Sequence, residues 1–367
     1  MEIKYLMEDK LKRSTDYASA ERSMAGLLKG YDLAGSPIAL PDFTDSNSLP
    51  NGTTVIITDQ KPINPALIGM DIGCGYSFFS LQMNPKRFLK KRKLRERALS
   101  DVVNSIDYQI RNFNREDKQI GTIGGGNHFI DIFILDEVYD ENQCKQFGLD
   151  EEKVYFMIHS GSRDFGFQKY KEFSDRFRSL EEDKMKEFNV EYLKSFSEAR
   201  DYARKNRLLL RQIVEEVISG EFQGNGSFSF YDKPHNEIES IINGSTYHKL
   251  MKGTSTLQEG EMFVIPGTAT DSAYVIVGEE GLKDSHNTIN HGAGRKYSRN
   301  QTLSKFRRSD LDEMFKNIVL NVRPNQMVEE VPAAYKNIHE VIASVERFKL
   351  ARKVAKLRPI GVIVERK

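Results

Sequence analysis

The segment Met70-Asp71-Ile72-Gly73-Cys74-Gly75 sets a carboxylate and a thiol three residues apart between glycines, in a chain whose one other cysteine is Cys144. Groups so spaced read as half of a metal site. The other half has to come from remote segments, so the fold must carry distant parts of the chain to one place. The candidates are single histidines in turn-like contexts: Gly126-Asn127-His128-Phe129, Ile158-His159-Ser160-Gly161-Ser162-Arg163, Pro234-His235-Asn236-Glu237 and Asn290-His291-Gly292-Ala293-Gly294-Arg295. Beside small or amide residues an imidazole can face a cavity.

At 367 residues the chain exceeds the roughly 150 residues usual for one core, but large mixed folds reach this length as a compact unit. Lys+Arg number 54 against 53 Asp+Glu, a net charge of +1, so no global field draws the protein to nucleic acid or membrane and any basic surface is local. Two cysteines make no disulfide framework, and the N-terminus MEIKYLMEDKLKR lacks the apolar core of a signal peptide. No apolar run approaches the ~20 residues that span a bilayer. These features lead us to expect a soluble, cytoplasmic protein with no membrane partner, in a reducing compartment where a free thiolate persists as a ligand.

The pattern reads as α+β. Short strands are expected at 53–58 and 66–71, with Pro62 and Pro65 between them. Asn84 to Arg97 opens like a helix with Pro85 in its first turn and carries Lys or Arg at 86, 87, 90, 91, 92, 93, 95 and 97. Either this is a solvated helix face, or Lys90, Lys91 and Lys93 meet a phosphate backbone. Val154 to Ile158 is a buried strand delivering His159 at its end. Positions 174–220 are helical in pattern and read as a two-helix insertion or arm, with Gly220 as the stop. Strands return at 262–266 and 273–277, then a helix from Ile338 to Lys356 and a last strand from Ile360 to Val364. With no repeat and no linker, residues 1–367 are expected to form one catalytic domain.

Asp71, Cys74, His128, His159 and His235 together offer hard oxygen, soft sulfur and imidazole nitrogen, a mixed set able to hold one or two divalent ions. There is no CxxC pair and no HExxH helix, so neither a zinc knuckle nor a zincin is supported. The glycines of 121–126 and of Gly292-Ala293-Gly294 can bring backbone N–H groups to an anion, and Arg163 and Arg295 lie a few residues from site histidines; together they suggest phosphate. His291 opens directly into such a turn, where it could act as a nucleophile toward phosphorus as well as a ligand.

The segments DIGCG, GGGNHF (124–129), IHSGSR (158–163), His235-Asn236, Ile265-Pro266-Gly267 and HGAGR (291–295), in that order, resemble the RtcB family of RNA-splicing ligases. The similarity runs from about Leu40 to the C-terminus, and Asn206-Arg207, Pro332 and Ala334-Tyr335-Lys336 also match family patterns. The resemblance implies a mixed α/β fold around a deep dinuclear manganese site. By it, Asp71, Cys74, His128, His159 and His235 are metal ligands with Cys74 the bridge, and His291 is the nucleophile that takes GMP from GTP. Asn127, Asn236, Gly267, Gly292, Ala293, Gly294 and Arg295 fall on nucleotide-contacting positions; Arg163, read from its place beside His159, is expected to bind substrate. The implied activity is a GTP- and manganese-dependent joining of RNA 3′-phosphate or 2′,3′-cyclic phosphate ends to 5′-hydroxyl ends, in RNA repair or tRNA processing.

The departures bear on recognition. Leu40-Pro41-Asp42-Phe43-Thr44 stands where the family has Met-Pro-Asp-Val-His, leaving Asp42 as an acid near the site; Asp131 stands for a common Glu; and Pro266-Gly267-Thr268-Ala269-Thr270 replaces Pro-Gly-Ser-Met-Gly. The terminal Lys-Gly of the family becomes Val364-Glu365-Arg366-Lys367, so either Glu365 accepts from the guanine N1 and N2 donors or base choice is relaxed. Two rival readings follow: a metal-dependent RNA 3′-end phosphohydrolase that does not seal, separated by guanylylation of His291, and an RNA-end-binding module using 86–97, separated by metal binding.

Overall fold

The computed structural model describes residues 2–13, 17–112, 117–307 and 310–365. In chain order the strands are β1 (Lys4–Tyr5), β2 (Ile38–Thr44), β3 (Asn51–Thr58), β4 (Gly75–Gln82), β5 (Phe129–Val138), β6 (Lys153–Ser160), β7 (Asn225–Pro234), β8 (Asn236–Asn243), β9 (Ser245–Lys252), β10 (Thr254–Thr256), β11 (Met262–Ile265), β12 (Ala273–Gly278), β13 (Thr288–Asn290), β14 (Val319–Leu320) and β15 (Ala351–Ile363). The helices are α1 (Asp9–Lys12), α2 (Tyr17–Leu27), α3 (Pro85–Lys90), α4 (Arg92–Asn112), α5 (Glu141–Phe147), α6 (Arg163–Arg178), α7 (Met185–Phe222), α8 (Arg299–Lys305), α9 (Leu311–Met314) and α10 (Ile338–Arg347).

The larger sheet runs β11-β12-β15-β5-β6-β4-β7, antiparallel throughout, with β14 added parallel to β15. Its central strands are apolar on both faces because both are covered. Alternation sends Phe79, Leu81, Phe156 and Ile158 toward Leu99 and Val102 of α4 and Leu210 and Val214 of α7, while Phe78, Tyr155 and Met157 enter the core on the other side. The second sheet runs β1-β2-β3-β9-β8, and β10 pairs with β13. The chain passes from the large sheet to the second at a single residue, His235, between the end of β7 and the start of β8.

Helix α7 forms because Phe188, Tyr192, Phe196, Ala199, Ala203, Leu210, Ile213 and Val214 recur at helical spacing and are all buried. Each of the large apolar residues among them contributes about 1.5–3 kcal/mol on burial. The helical stretch begins earlier than the expected 174, at Arg163, and breaks at Ser179 before resuming at Met185. Gly220 does not stop it: the helix continues to Phe222 and ends at Gln223, whose φ of 56° is left-handed.

Three other expectations are corrected. Residues 66–71 are not a strand: Asn64 caps the Ala66 amide and Pro65 opens a 3₁₀ turn over Pro65–Leu67. The basic stretch is two helices, parted at Lys91. The last helix stops at Arg347, where the left-handed Lys349 (φ 51°) turns the chain into β15, so residues 351–356 are strand. There the composition favours helix, but burial between β12 and β5 overrides it.

Candidate active site

Strand register assembles the site. Cys74 immediately precedes β4, which pairs with β6 so that Tyr76 faces His159 and Gly75 faces Ser160. On its other side β4 pairs with β7 so that Gly75 faces Pro234, placing His235 beside Cys74. β5 starts at Phe129, opposite His159, which brings His128 alongside. Four neighbouring strands therefore deliver Cys74, His128, His159 and His235 at one end of the sheet. Arg207 of α7 braces that end, donating to the carbonyls of Gly73 and Ser160 at 2.9 Å each and pairing with Asp232 at 2.7 Å. Asn206 donates to Thr122 O and Ser160 Oγ and accepts from the Gly121 and Thr122 amides, fixing the loop before His128.

The ligand-type atoms converge. Cys74 Sγ lies 3.1 Å from His159 Nε2 and 3.3 Å from His128 Nε2. His159 Nε2 is 3.3 Å from His235 Nε2, and His128 Nε2 is 3.3 Å from Asp71 Oδ2. Two triads result, Cys74-His159-His235 and Asp71-Cys74-His128, with the sulfur common to both. Ligands on one tetrahedral ion with bonds of ~2.0–2.3 Å stand roughly 3.3–3.8 Å apart, so both triads fit divalent ions. Burial pushes the His159 and His235 imidazoles well below the usual histidine range, leaving neutral nitrogens suited to ligation. Burial and the Asp71 charge push the Cys74 thiol up, a penalty that a bound cation reverses. Burial opposes ionisation of Asp71, but His128 and Lys252 outweigh it and hold the carboxyl below its usual range.

These residues line a cavity of about 750 Å³. His291 follows β13 and lines the cavity, its ring centroid 4.5 Å from that of His235. Its Nδ1 is 2.7 Å from Asp42 Oδ2 and 2.8 Å from Gly253 O. A carbonyl can only accept, so Nδ1 is the donor, and in the neutral ring the lone pair sits on Nε2. Tyr76 packs against the rings of His159, His235 and His291.

The other expected residues divide. Asn127, Gly267, Gly292, Ala293, Gly294 and Arg295 line the cavity. Asn236 lines it too but uses its amide to bridge Asp71 O, at 2.9 Å, and the Gly253 amide, at 3.2 Å. Arg295 is engaged by Tyr297 O, Thr302, Glu329 O, Glu330 and the Tyr335 hydroxyl, so much of its donor capacity holds the wall together. Arg163 reaches Thr122 Oγ1 and lies 3.3 Å from His128 Nδ1. Glu365 faces Arg163 at 3.9 Å and lines a smaller neighbouring cavity, while Val364 and the buried Asp131 line the main one. Arg366 and Lys367 lie outside the described residues. Lys90 on α3, Lys91 between the helices and Lys93 on α4 are exposed and do not line the cavity.

Sequence reading missed Lys252, which ends β9, is buried and lines the cavity; burial lowers its ammonium while Asp71 and Cys74 oppose the change. A charged residue closing the apolar run Leu250-Met251 before Gly253 was the available signal. It also missed Arg299, which reaches Asn127 Oδ1 at 3.3 Å. Among the described residues no helix is long and apolar enough to cross a membrane.

The profile of a family described as "tRNA-splicing ligase RtcB" matches residues 104–365, a span that begins after Asp71 and Cys74. A tRNA-splicing ligase RtcB from Nanoarchaeum equitans is 30% identical over 309 residues, covering 72% of this chain and 63% of the relative. Proteins of the same name from Pyrobaculum aerophilum and Pyrococcus abyssi are 28% and 29% identical, covering 67% and 66% of this chain. The chain spans 59% of the first of these two and 31% of the second.

Proposed function

The chain belongs to the RtcB family, and from that membership we propose that it is a GTP- and manganese-dependent RNA ligase, joining 3′-phosphate or 2′,3′-cyclic phosphate ends to 5′-hydroxyl ends through guanylylated His291. The observation that carries the reading is His291 itself, with Nδ1 held by Asp42 and Gly253 and its ring set against the cluster of ligand-type atoms. Asp71, Cys74, His128, His159 and His235 would hold two manganese ions, with Cys74 common to both. Bound divalent ions supply Lewis-acid polarisation of phosphate oxygens.

His291 Nε2 attacks the α-phosphorus of GTP, forming an N–P bond as the bond to the β-phosphate oxygen breaks and pyrophosphate leaves. An oxygen of the RNA 3′-phosphate, which in a 2′,3′-cyclic end is first freed by attack of water on phosphorus with the 2′ oxygen leaving as a hydroxyl, then displaces His291 from that phosphorus and carries GMP away as an activated 3′ end. A 5′-hydroxyl attacks the RNA phosphorus, the phosphodiester forms and GMP departs. Asp42 stabilises the positive charge that His291 develops in the first step, as a carboxylate does for a catalytic imidazole. Lys252 and Arg163 stand beside the ligand cluster, where cations match the phosphates being exchanged.

Incubation with α-labelled GTP and Mn²⁺ tests the reading. We expect a covalent adduct, labile in acid and persistent in base, that His291→Ala abolishes with metal content near that of wild type. An adduct of undiminished yield in the variant would assign the chemistry to another residue.

A further inference from the structure

Lys336 is buried, at 3% exposure, and its ammonium touches none of the groups named as ligands or nucleophile. Its three donors instead meet three acceptors: Pro41 O at 3.0 Å, Phe43 O at 2.8 Å and the Tyr17 hydroxyl at 3.0 Å. Pro41 and Phe43 are the two neighbours of Asp42. The lysine therefore grips the backbone on both sides of the carboxylate that holds His291. Its own backbone N–H donates to Gly294 O at 2.9 Å, within the turn that follows His291. One residue thus ties the strand bearing Asp42 to the turn bearing His291.

The fit around Asp42 is close. Its carboxylate is fully buried; Oδ2 meets His291 and Oδ1 has no partner among the described residues. Gly52 and Gly294, both at positive φ, lie against it: a Cβ on Gly52 would lie 2.3 Å from Oδ1, and one on Gly294 2.8 Å from the Asp42 Cβ. A buried anion with one hydrogen bond needs a countercharge, and Lys336 supplies it through space. Burial lowers the Lys336 ammonium, to about 7, and the Asp42 charge opposes this; the three acceptors about Nζ match the three donors of the charged form. Tyr17 adds its ring, stacked on Phe43 at 5.4 Å.

We propose that Lys336 is a positioning residue for the nucleophile: by gripping the Pro41 and Phe43 carbonyls it aims Asp42 at His291 Nδ1 and so fixes the proton there and the lone pair on Nε2. The idea rests on the guanylylation reading for its consequence but not for its geometry, and the two are separable. Lys336→Met keeps the side-chain volume and the N–H to Gly294 while removing the grip and the charge. In the manganese-loaded full chain we expect its rate of GTP adduct formation to fall on the order of 10- to 100-fold. The GTP concentration for half-maximal rate and the metal content should stay near wild type, and Lys336→Arg should recover part of the rate.

The direct readout is the His291 Nδ1–H resonance in ¹⁵N-histidine-labelled metal-free protein, assigned by its loss in His291→Ala. It should shift or exchange faster in Lys336→Met. An unchanged resonance together with a wild-type adduct rate overturns the proposal, as does a loss of metal that accounts for the whole rate effect. If Lys336→Met does not fold, Tyr17→Phe, which removes one of the three acceptors, should shift the same resonance, and no shift there also overturns it. A wild-type protein that forms no adduct at all would sink the ligase reading, while the resonance still decides the positioning.

Discussion

At the scale of single residues, Cys74 is where a functional and an inert reading diverge most. A buried cysteine that merely fills space would lose roughly 1 kcal/mol of stability on truncation to alanine. Its sulfur stands within 3.3 Å of two imidazole nitrogens and belongs to both ligand triads. Cys74→Ala should therefore lose at least one manganese ion per chain and all sealing; unchanged stoichiometry by elemental analysis with sealing intact would remove Cys74 from the site. Cys74 and the four histidines were legible because thiols and imidazoles are scarce in this chain and each sits beside glycine, asparagine or serine, and Asp71 was legible through its three-residue spacing from Cys74. Lys252 was not, and Lys336 entered only as part of the Ala334-Tyr335-Lys336 pattern with no role attached, because a lysine reads as solvated surface until burial is known. Arg295 was legible as a cation near the site, but the five groups it holds come from residues 297 to 335, which no local pattern connects to it.

At the scale of elements, strands whose alternation or apolar run was strong stood where the pattern put them: β3, β6, β11 and β12. β15 was misread in its first half because Arg352, Lys353, Lys356 and Arg358 interrupt the apolar positions and favour helix locally. What decides for strand is non-local, the pairing with β12, β5 and β14. The basic helices α3 and α4 raise a functional question of the same kind. Arg92 and Arg97 are paired with acidic neighbours, but Lys90, Lys91 and Lys93 are exposed. If they hold an RNA backbone, changing all three to glutamate should weaken RNA binding and flatten its salt dependence by roughly 0.7 per lost contact on a single strand, with adduct formation spared. Ligation that is unaffected at physiological salt would make this a solvated face and nothing more.

At the scale of the whole molecule, the site is a seam. Its ligand-type residues come from the start of β4, the start of β5, the end of β6 and the junction of β7 with β8, and His291, the proposed nucleophile, comes from the end of β13. None of these segments can form the site locally, so ions bound there would tie the ends of four neighbouring strands together and stabilise the native state by mass action. At free manganese about 1,000 times the dissociation constant the gain is about 4 kcal/mol. For a chain of this length that corresponds to a rise in Tm of roughly 5 °C. Scanning wild-type protein in chelator and in excess Mn²⁺ should give that separation, and the same pair of scans on Cys74→Ala should give a clearly smaller one. The comparison matters because nonspecific binding of cations to surface carboxylates would raise both proteins alike. Equal shifts in wild type and variant would mean that the ions bind elsewhere, and the convergence of thiol, carboxylate and imidazoles at the sheet junction would then be a packing arrangement without a resident metal.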